Sequence, residues 1–185
     1  MLKLALGRNK KVQRLLDSIE KLGCPLPEEG FFSCRKCPPD LSISGGFSVY
    51  AGDEGGKGKK EAPYKPEVVL CENNMLDSSS FENTLVHELT HAYDQCRLKL
   101  DWKNCLHHAC AEIRASSLSG ECDFLHEVYR GKVSMAAGHE KCTKRRAKLS
   151  VSMNSNCQKV AADAVEAGFG PCYADRAPFG PYEET

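Results

Sequence analysis

Residues 78–100 read SSSFENTLVHELTHAYDQCRLKL, with HELTH at the centre from His87 to His91. Ser79 followed three residues later by Glu82 is a capping-box signature, and Leu85, Leu89, Ala92 and Cys96 fall on one apolar face. A helix is therefore expected over 79–98. On a helix, residues four apart stand one above the other, so His87 and His91 can aim ring nitrogens at a single point. That makes a two-ligand metal seat. Glu88, one step round the helix, can reach a water at that seat without being a ligand, which is where a general base has to stand.

A catalytic zinc ion needs a third protein ligand and one open position. The next helical pattern, 104–119, ends at Gly120 and contains HHACAEIRASS. Its spacing puts His108, Ala111, Glu112 and Ala115 on one face, opposite Leu106, Cys110 and Ile113. Glu112 is the first choice for third ligand, by ligand type and separation from His91. His108, one turn earlier, is the alternative ligand, or else a donor to a transition-state oxygen, a role open to Tyr93 as well. An isolated His pair at this spacing is most often hydrogen-bonded or solvated, and a helical Glu is usually exposed. The coincidence of HELTH with a carboxylate at the right distance favours a catalytic metal. Asp94 reads either as a solvated residue or as a group orienting a ligand histidine. His107, His126 and His139 have no identifiable partner.

The 185 residues suit one well-cored domain. It divides into a basic N-terminal helix (1–23), a Gly/Pro-rich sheet region (24–77), catalytic helices (79–120), a helical C-terminal part (121–168) and a turn-rich tail (169–185). In the first part Val12, Leu15, Leu16, Ile19 and Leu22 recur at helical spacing before Gly23. The opening MLKLALGRNKKVQR has five basic residues and no acid, a faint presequence character, and is read as mature chain. Strands are expected at 47–50 and 67–71, forming a small antiparallel sheet ahead of HELTH, with 67–71 as an edge able to pair with an extended substrate. Further helices are expected over 122–129, 140–151 and 157–167, the last stopped by Gly168.

Twenty-five basic and 25 acidic residues cancel, so no global field draws the chain to nucleic acid. No apolar run spans a bilayer, which leaves peripheral membrane association. Eleven cysteines without four-Cys zinc-finger spacing point to disulfides, and the odd count leaves at least one thiol unpaired.

The longer run HELTHAYDQCRLKLDWKNCLHHACAEIRASSLSGEC, preceded by VVLCENNM and closed by CYADRAPFGPYEE, resembles the mitochondrial inner-membrane metalloproteases that assist ATP synthase assembly. Animal members of that family are also called Ku-binding proteins. The resemblance spans about 12–179. It implies an α+β, zincin-like fold with a mainly helical C-terminal half. It also implies a Zn2+-dependent endopeptidase on the intermembrane-space side, with metal ligands His87 and His91 and catalytic Glu88. Implied substrates are inner-membrane-associated proteins such as the ATP synthase subunit 6 precursor. Entry by oxidative folding, also a family trait, accounts for bridged cysteines in a chain without a secretory signal. Cys105, where the family more often has an apolar residue, is the candidate free thiol. The Gly/Lys-rich insert at 53–61 and the end at Thr185 depart from the family pattern. The rival reading is a non-catalytic assembly chaperone for ATP synthase membrane subunits; a Ku-partner scaffold in DNA repair is opposed by neutral charge and abundant cysteine.

Overall fold

The computed structural model describes residues 1–24, 26–27, 29–40, 43–50, 65–123, 128 and 138–180, with the Tyr50 side chain left out. The insert at 53–61 and most of the helix expected over 122–129 lie outside the described residues.

The basic N-terminal segment forms two helices, α1 (Leu2–Arg8) and α2 (Lys10–Lys21). Asn9 separates them because its side chain caps α2, accepting from the N–H groups of Lys11 and Val12 at 3.0 and 3.2 Å. The Asn9 amide also donates to Glu82 at 2.7 Å, tying this corner to the HELTH helix. Val12, Leu15 and Ile19 then face inward, and Gly23 ends the turn at φ 76°.

The sheet differs from the expected antiparallel one. Its strands are β1 (Phe32–Arg35), β2 (Gly45–Tyr50) and β3 (Lys65–Cys71), in the order β1-β3-β2. β3 pairs antiparallel with β2 but parallel with β1, a strand hidden in the Gly/Pro-rich region. The sheet is therefore mixed, and the segment expected to be an edge is its centre. β2 is the edge strand on the helix side.

HELTH lies on α3 (Ser78–Leu98). The cap is Asp77, whose carboxylate accepts from the Ser80 N–H at 2.7 Å, and not Ser79; Glu82 is occupied by Asn9 instead. α4 (Cys105–Leu118) is capped by Asn104. It is followed by α5 (His139–Met153) and α6 (Ala161–Ala174). α6 runs through Gly168 and Pro171, where a stop and a tail were expected. Gly168 lies where α6 packs on α4: a Cβ on it would make ordinary van der Waals contact with Leu106 at 3.4 Å and Ile113 at 3.9 Å.

Two apolar clusters result. Val12, Leu15 and Ile19 of α2, Val68 and Leu70 of β3, and Leu85, Val86 and Leu89 of α3 form the first. Ala109 and Ile113 of α4, Ala147 and Val151 of α5, and Val165 and Phe169 of α6 form the second. Each fully buried aliphatic side chain contributes about 1.5–3 kcal/mol. The catalytic-looking helices α3 and α4 are the seam between the clusters.

Five disulfides staple this arrangement: Cys24–Cys96, Cys37–Cys71, Cys105–Cys157, Cys110–Cys172 and Cys122–Cys142. The free thiol is Cys34, exposed on β1. Cys105, expected to be unpaired, opens α4 next to the turn that holds Cys157 and bonds there. No helix among the described residues is long and apolar enough to cross a membrane.

Candidate metal and catalytic site

One turn of α3 places His87 above His91, with ring centroids 4.8 Å apart. α4 brings Glu112 to both: its Oε2 is 3.4 Å from His87 Nε2 and its Oε1 is 3.5 Å from His91 Nε2. One donor atom from each of the three residues lies within 4.8 Å of the others. Donors held about 2.0–2.1 Å from a tetrahedral zinc stand roughly 3.3–3.4 Å apart, so the spacing suits such an ion. The donor set is equally suitable, with two imidazoles and one carboxylate. Glu112 Oε2 is buried and accepts no hydrogen bond of good geometry, an unmet demand that a cation would satisfy.

His87 and His91 are held differently. His87 Nδ1 faces Glu121 Oε1 at 3.2 Å, which leaves Nε2 for the shared point. His91 Nδ1 is buried with no hydrogen-bond partner among the described residues. Trp102 packs edge-on against both rings, its centroid 5.6 Å from His91 and 5.7 Å from His108, and its Nε1–H donates to Gln95 at 2.8 Å.

Burial and mutual charge set the protonation of the cluster. Burial alone would lower His87, but the neighbouring carboxylates of Glu112 and Glu121 raise its pKa well above the usual imidazole range. Burial takes His91 down to about 4, overriding the attraction of Glu112. Burial opposes ionisation of Glu112, yet the surrounding imidazoles bring it well below the ordinary carboxylate value. Glu121 likewise overcomes burial through His87 and Arg146 and falls to about 2.

Glu88, the next residue along α3, faces β2. It is 6% exposed, and its carboxylate accepts a hydrogen bond from the Phe47 backbone N–H. Burial, reinforced by Glu112 and Glu121, lifts its pKa to about 7 against the opposing pull of His87 and that N–H. The close approach of strand and helix requires a glycine at position 45. A Cβ there would sit 2.7 Å from Thr84 Cγ2, 2.9 Å from the Val69 carbonyl oxygen and 3.2 Å from Glu88 Oε1. His87, His91 and Glu112 thus come together, and Glu88 lies near enough to feel the charges of His87 and Glu112, with β2 alongside.

His108 is adjacent but outside the three-donor group. Its Nε2 is 3.4 Å from Glu112 Oε1 and its Nδ1 is 3.2 Å from the Asn154 amide nitrogen. With that amide donating to Nδ1, the ring proton sits on Nε2 and points at Glu112. Tyr93 packs in the first apolar cluster under Arg97, with the guanidinium 5.4 Å from its ring centre. Asp94 is neither solvated nor an orienting group for a histidine. It is 1% exposed and accepts from Arg114 Nε at 2.7 Å and from Arg97 at 3.3 Å. Glu121 takes the orienting role the sequence reading gave Asp94. His107 serves a turn, accepting from the Asp101 N–H, and His139 faces the Tyr173 hydroxyl at 2.8 Å.

Arg114 and Asp94 bolt α4 to α3 within one turn of Glu112 and His91. The same guanidinium donates to the carbonyls of Asp175 and Ala177 and pairs with the Asp175 carboxylate at 2.8 Å. The segment after α6 is thereby drawn against the seam.

The sequence profile described as the Peptidase M76 family matches residues 1–180. The protein named mitochondrial inner membrane protease ATP23 homolog in Xenopus laevis is 37% identical over 182 residues, covering 97% of this chain and 71% of its own. Its human counterpart of the same name is 35% identical over 184 residues, covering 97% and 68%. Mitochondrial inner membrane protease ATP23 of Saccharomyces cerevisiae is 45% identical over 128 residues, covering 65% and 56%. The chain therefore spans between 56% and 71% of the length of these three relatives. No solved structure matches the chain.

Proposed function

The chain belongs to the Peptidase M76 family, and on that footing we propose that it is a zinc-dependent endopeptidase of the mitochondrial intermembrane space. The observation that carries this reading is the convergence of His87, His91 and Glu112 on one point with Glu88 buried beside it. Relatives named as mitochondrial inner membrane proteases support the compartment and the reaction. Five disulfides fit an oxidising compartment, and the absence of a membrane-crossing helix among the described residues fits peripheral attachment. Its substrates are proteins at the inner membrane, of which the ATP synthase subunit 6 precursor is the one implied by resemblance, together with assistance to ATP synthase assembly.

His87 and His91 would hold zinc through Nε2, and Glu112 through its carboxylate. Bound there, the ion supplies Lewis acidity, which polarises a scissile carbonyl and makes water acidic enough to give up a proton near neutral pH. Glu88 takes that proton and later returns it to the departing amine. The Phe47 N–H holds the Glu88 carboxylate beside β2, and Trp102 packs against His91 and His108. His108 donates to Glu112 and keeps that carboxylate turned towards the seat. An extended substrate adds to β2, the edge strand that meets Glu88, rather than to the internal β3.

The test is metal removal from oxidised, purified protein. Chelation is expected to abolish cleavage of an unfolded protein substrate, and one equivalent of zinc to restore it. A chain that holds no zinc and cleaves nothing, yet still keeps a hydrophobic membrane subunit soluble, would reverse the reading in favour of the chaperone.

A further inference from the structure

Glu121 sits in the turn after α4, just beyond Gly120 at φ 95°, and is 6% exposed. One of its oxygens faces His87 Nδ1 at 3.2 Å, while the other accepts from Arg146 Nε at 2.8 Å and lies 2.6 Å from Arg146 Nη2. A carboxylate gripped by a guanidinium fork is fixed in orientation, and here the fixed carboxylate in turn fixes an imidazole. Arg146 comes from α5, far along the chain. The covalent link between these two parts is Cys122–Cys142, with Cα atoms 5.6 Å apart. Cys122 is the residue after Glu121, and Cys142 lies one helical turn before Arg146. The bond therefore clasps both ends of the Glu121–Arg146 pair.

Resting on the reading of His87 as a zinc ligand, we propose that Glu121, Arg146 and the Cys122–Cys142 disulfide act as one clamp that positions His87, so that oxidation of this bond sets the strength of metal binding. Glu121 fixes which nitrogen of His87 carries the proton and points Nε2 at the seat. Arg146 keeps Glu121 from turning away. The disulfide joins the residue after Glu121 to α5 one turn before Arg146 and so holds the two together. Among the described residues His91 Nδ1 has no such partner, so His87 is the ligand through which the clamp acts. Reduction of this bond then weakens zinc binding.

The experiment measures zinc affinity of the oxidised full chain by chelator competition, and the visible spectrum of its cobalt(II) form as a readout of ligand geometry. Glu121→Gln is expected to weaken zinc binding about 10–100-fold and to shift the cobalt spectrum. Arg146→Met is expected to weaken it about 10-fold, with Arg146→Lys recovering part of the loss because it restores charge without the fork. Replacing Cys122 and Cys142 together by Ser is expected to match Arg146→Met and to add little on top of it, since both break the same clamp. Replacing Cys37 and Cys71 together by Ser, which unlinks β1 from β3, should lower stability without changing zinc affinity. Affinities within about twofold of the parent for Glu121→Gln and Arg146→Met overturn the clamp, as does an equal loss in both disulfide variants. If Glu121→Gln does not fold, the partly exposed Arg146 carries the same test. A parent chain that binds no zinc fails the ligand reading itself, an outcome distinct from parent binding with unchanged variants.

Discussion

Replacing Arg114 by Met tests whether the seam between α3 and α4 is held by charge. Arg114 and Asp94 are each 1% exposed and joined at 2.7 Å. The substitution keeps most of the side-chain volume but leaves the Asp94 carboxylate buried with only Arg97, at 3.3 Å, to answer it. Breaking one partner of a buried pair costs about 3–5 kcal/mol. The Asp175 and Ala177 carbonyls also lose their donor, but Asp175 is partly exposed and water can replace it there, so little is added. For a chain of this size the loss corresponds to a fall in Tm of about 6–20 °C. Because Asp94 lies three residues after His91, and Arg114 two after Glu112, zinc affinity should fall too. The assay is urea unfolding with disulfides intact, on Arg114→Met, Asp94→Leu and the double variant. Removing both charges avoids the stranded carboxylate, so the double variant should lose less than the sum of the singles by about 2 kcal/mol. A loss below about 1 kcal/mol for Arg114→Met, or full additivity, would refute the reasoning.

Two further outcomes follow from the site. Glu112→Gln removes an anionic donor and should weaken zinc binding by more than about 100-fold, beyond the usual cost of losing an outer partner, whereas His108→Ala, which removes only a donor to Glu112, should cost about 10-fold. Chelator competition decides between them, and the reverse order would make the site a three-histidine one. Gly45→Ala forces a methyl against Thr84, the Val69 carbonyl and Glu88, which should cost about 1–3 kcal/mol and slow turnover by displacing the base. An unchanged urea midpoint would show that strand and helix can separate freely.

HELTH and its helix were legible because their signal is local: four-residue spacing alone stacks His87 on His91. Glu112 was legible at one remove, through residue type and distance along a second helix. Glu121 was not, because nothing in LSGEC states that the turn after α4 folds back to His87; that contact depends on α5. Asp94 misled for the same reason, its partner being a buried arginine on another helix. β1 escaped notice because four residues among glycines and prolines carry little periodicity, and without it β3 looked like an edge. The presence of disulfides could be read from composition, but the pairing of Cys105 with Cys157 is a product of the fold and of no spacing rule. Gly168 and Pro171 signal a stop in isolation, yet the Cys110–Cys172 bond and close packing on α4 keep α6 helical through both.

The account's central claim is that the HELTH helix divides its labour, with His87 and His91 for the metal and Glu88 for the proton. Glu88→Gln preserves size and leaves the ligand atoms untouched. The direct measurement is zinc content and peptide-bond cleavage on the same oxidised sample. One zinc per chain with cleavage reduced by at least about 100-fold is the predicted result. Wild-type cleavage by a zinc-loaded Glu88→Gln chain would contradict the account.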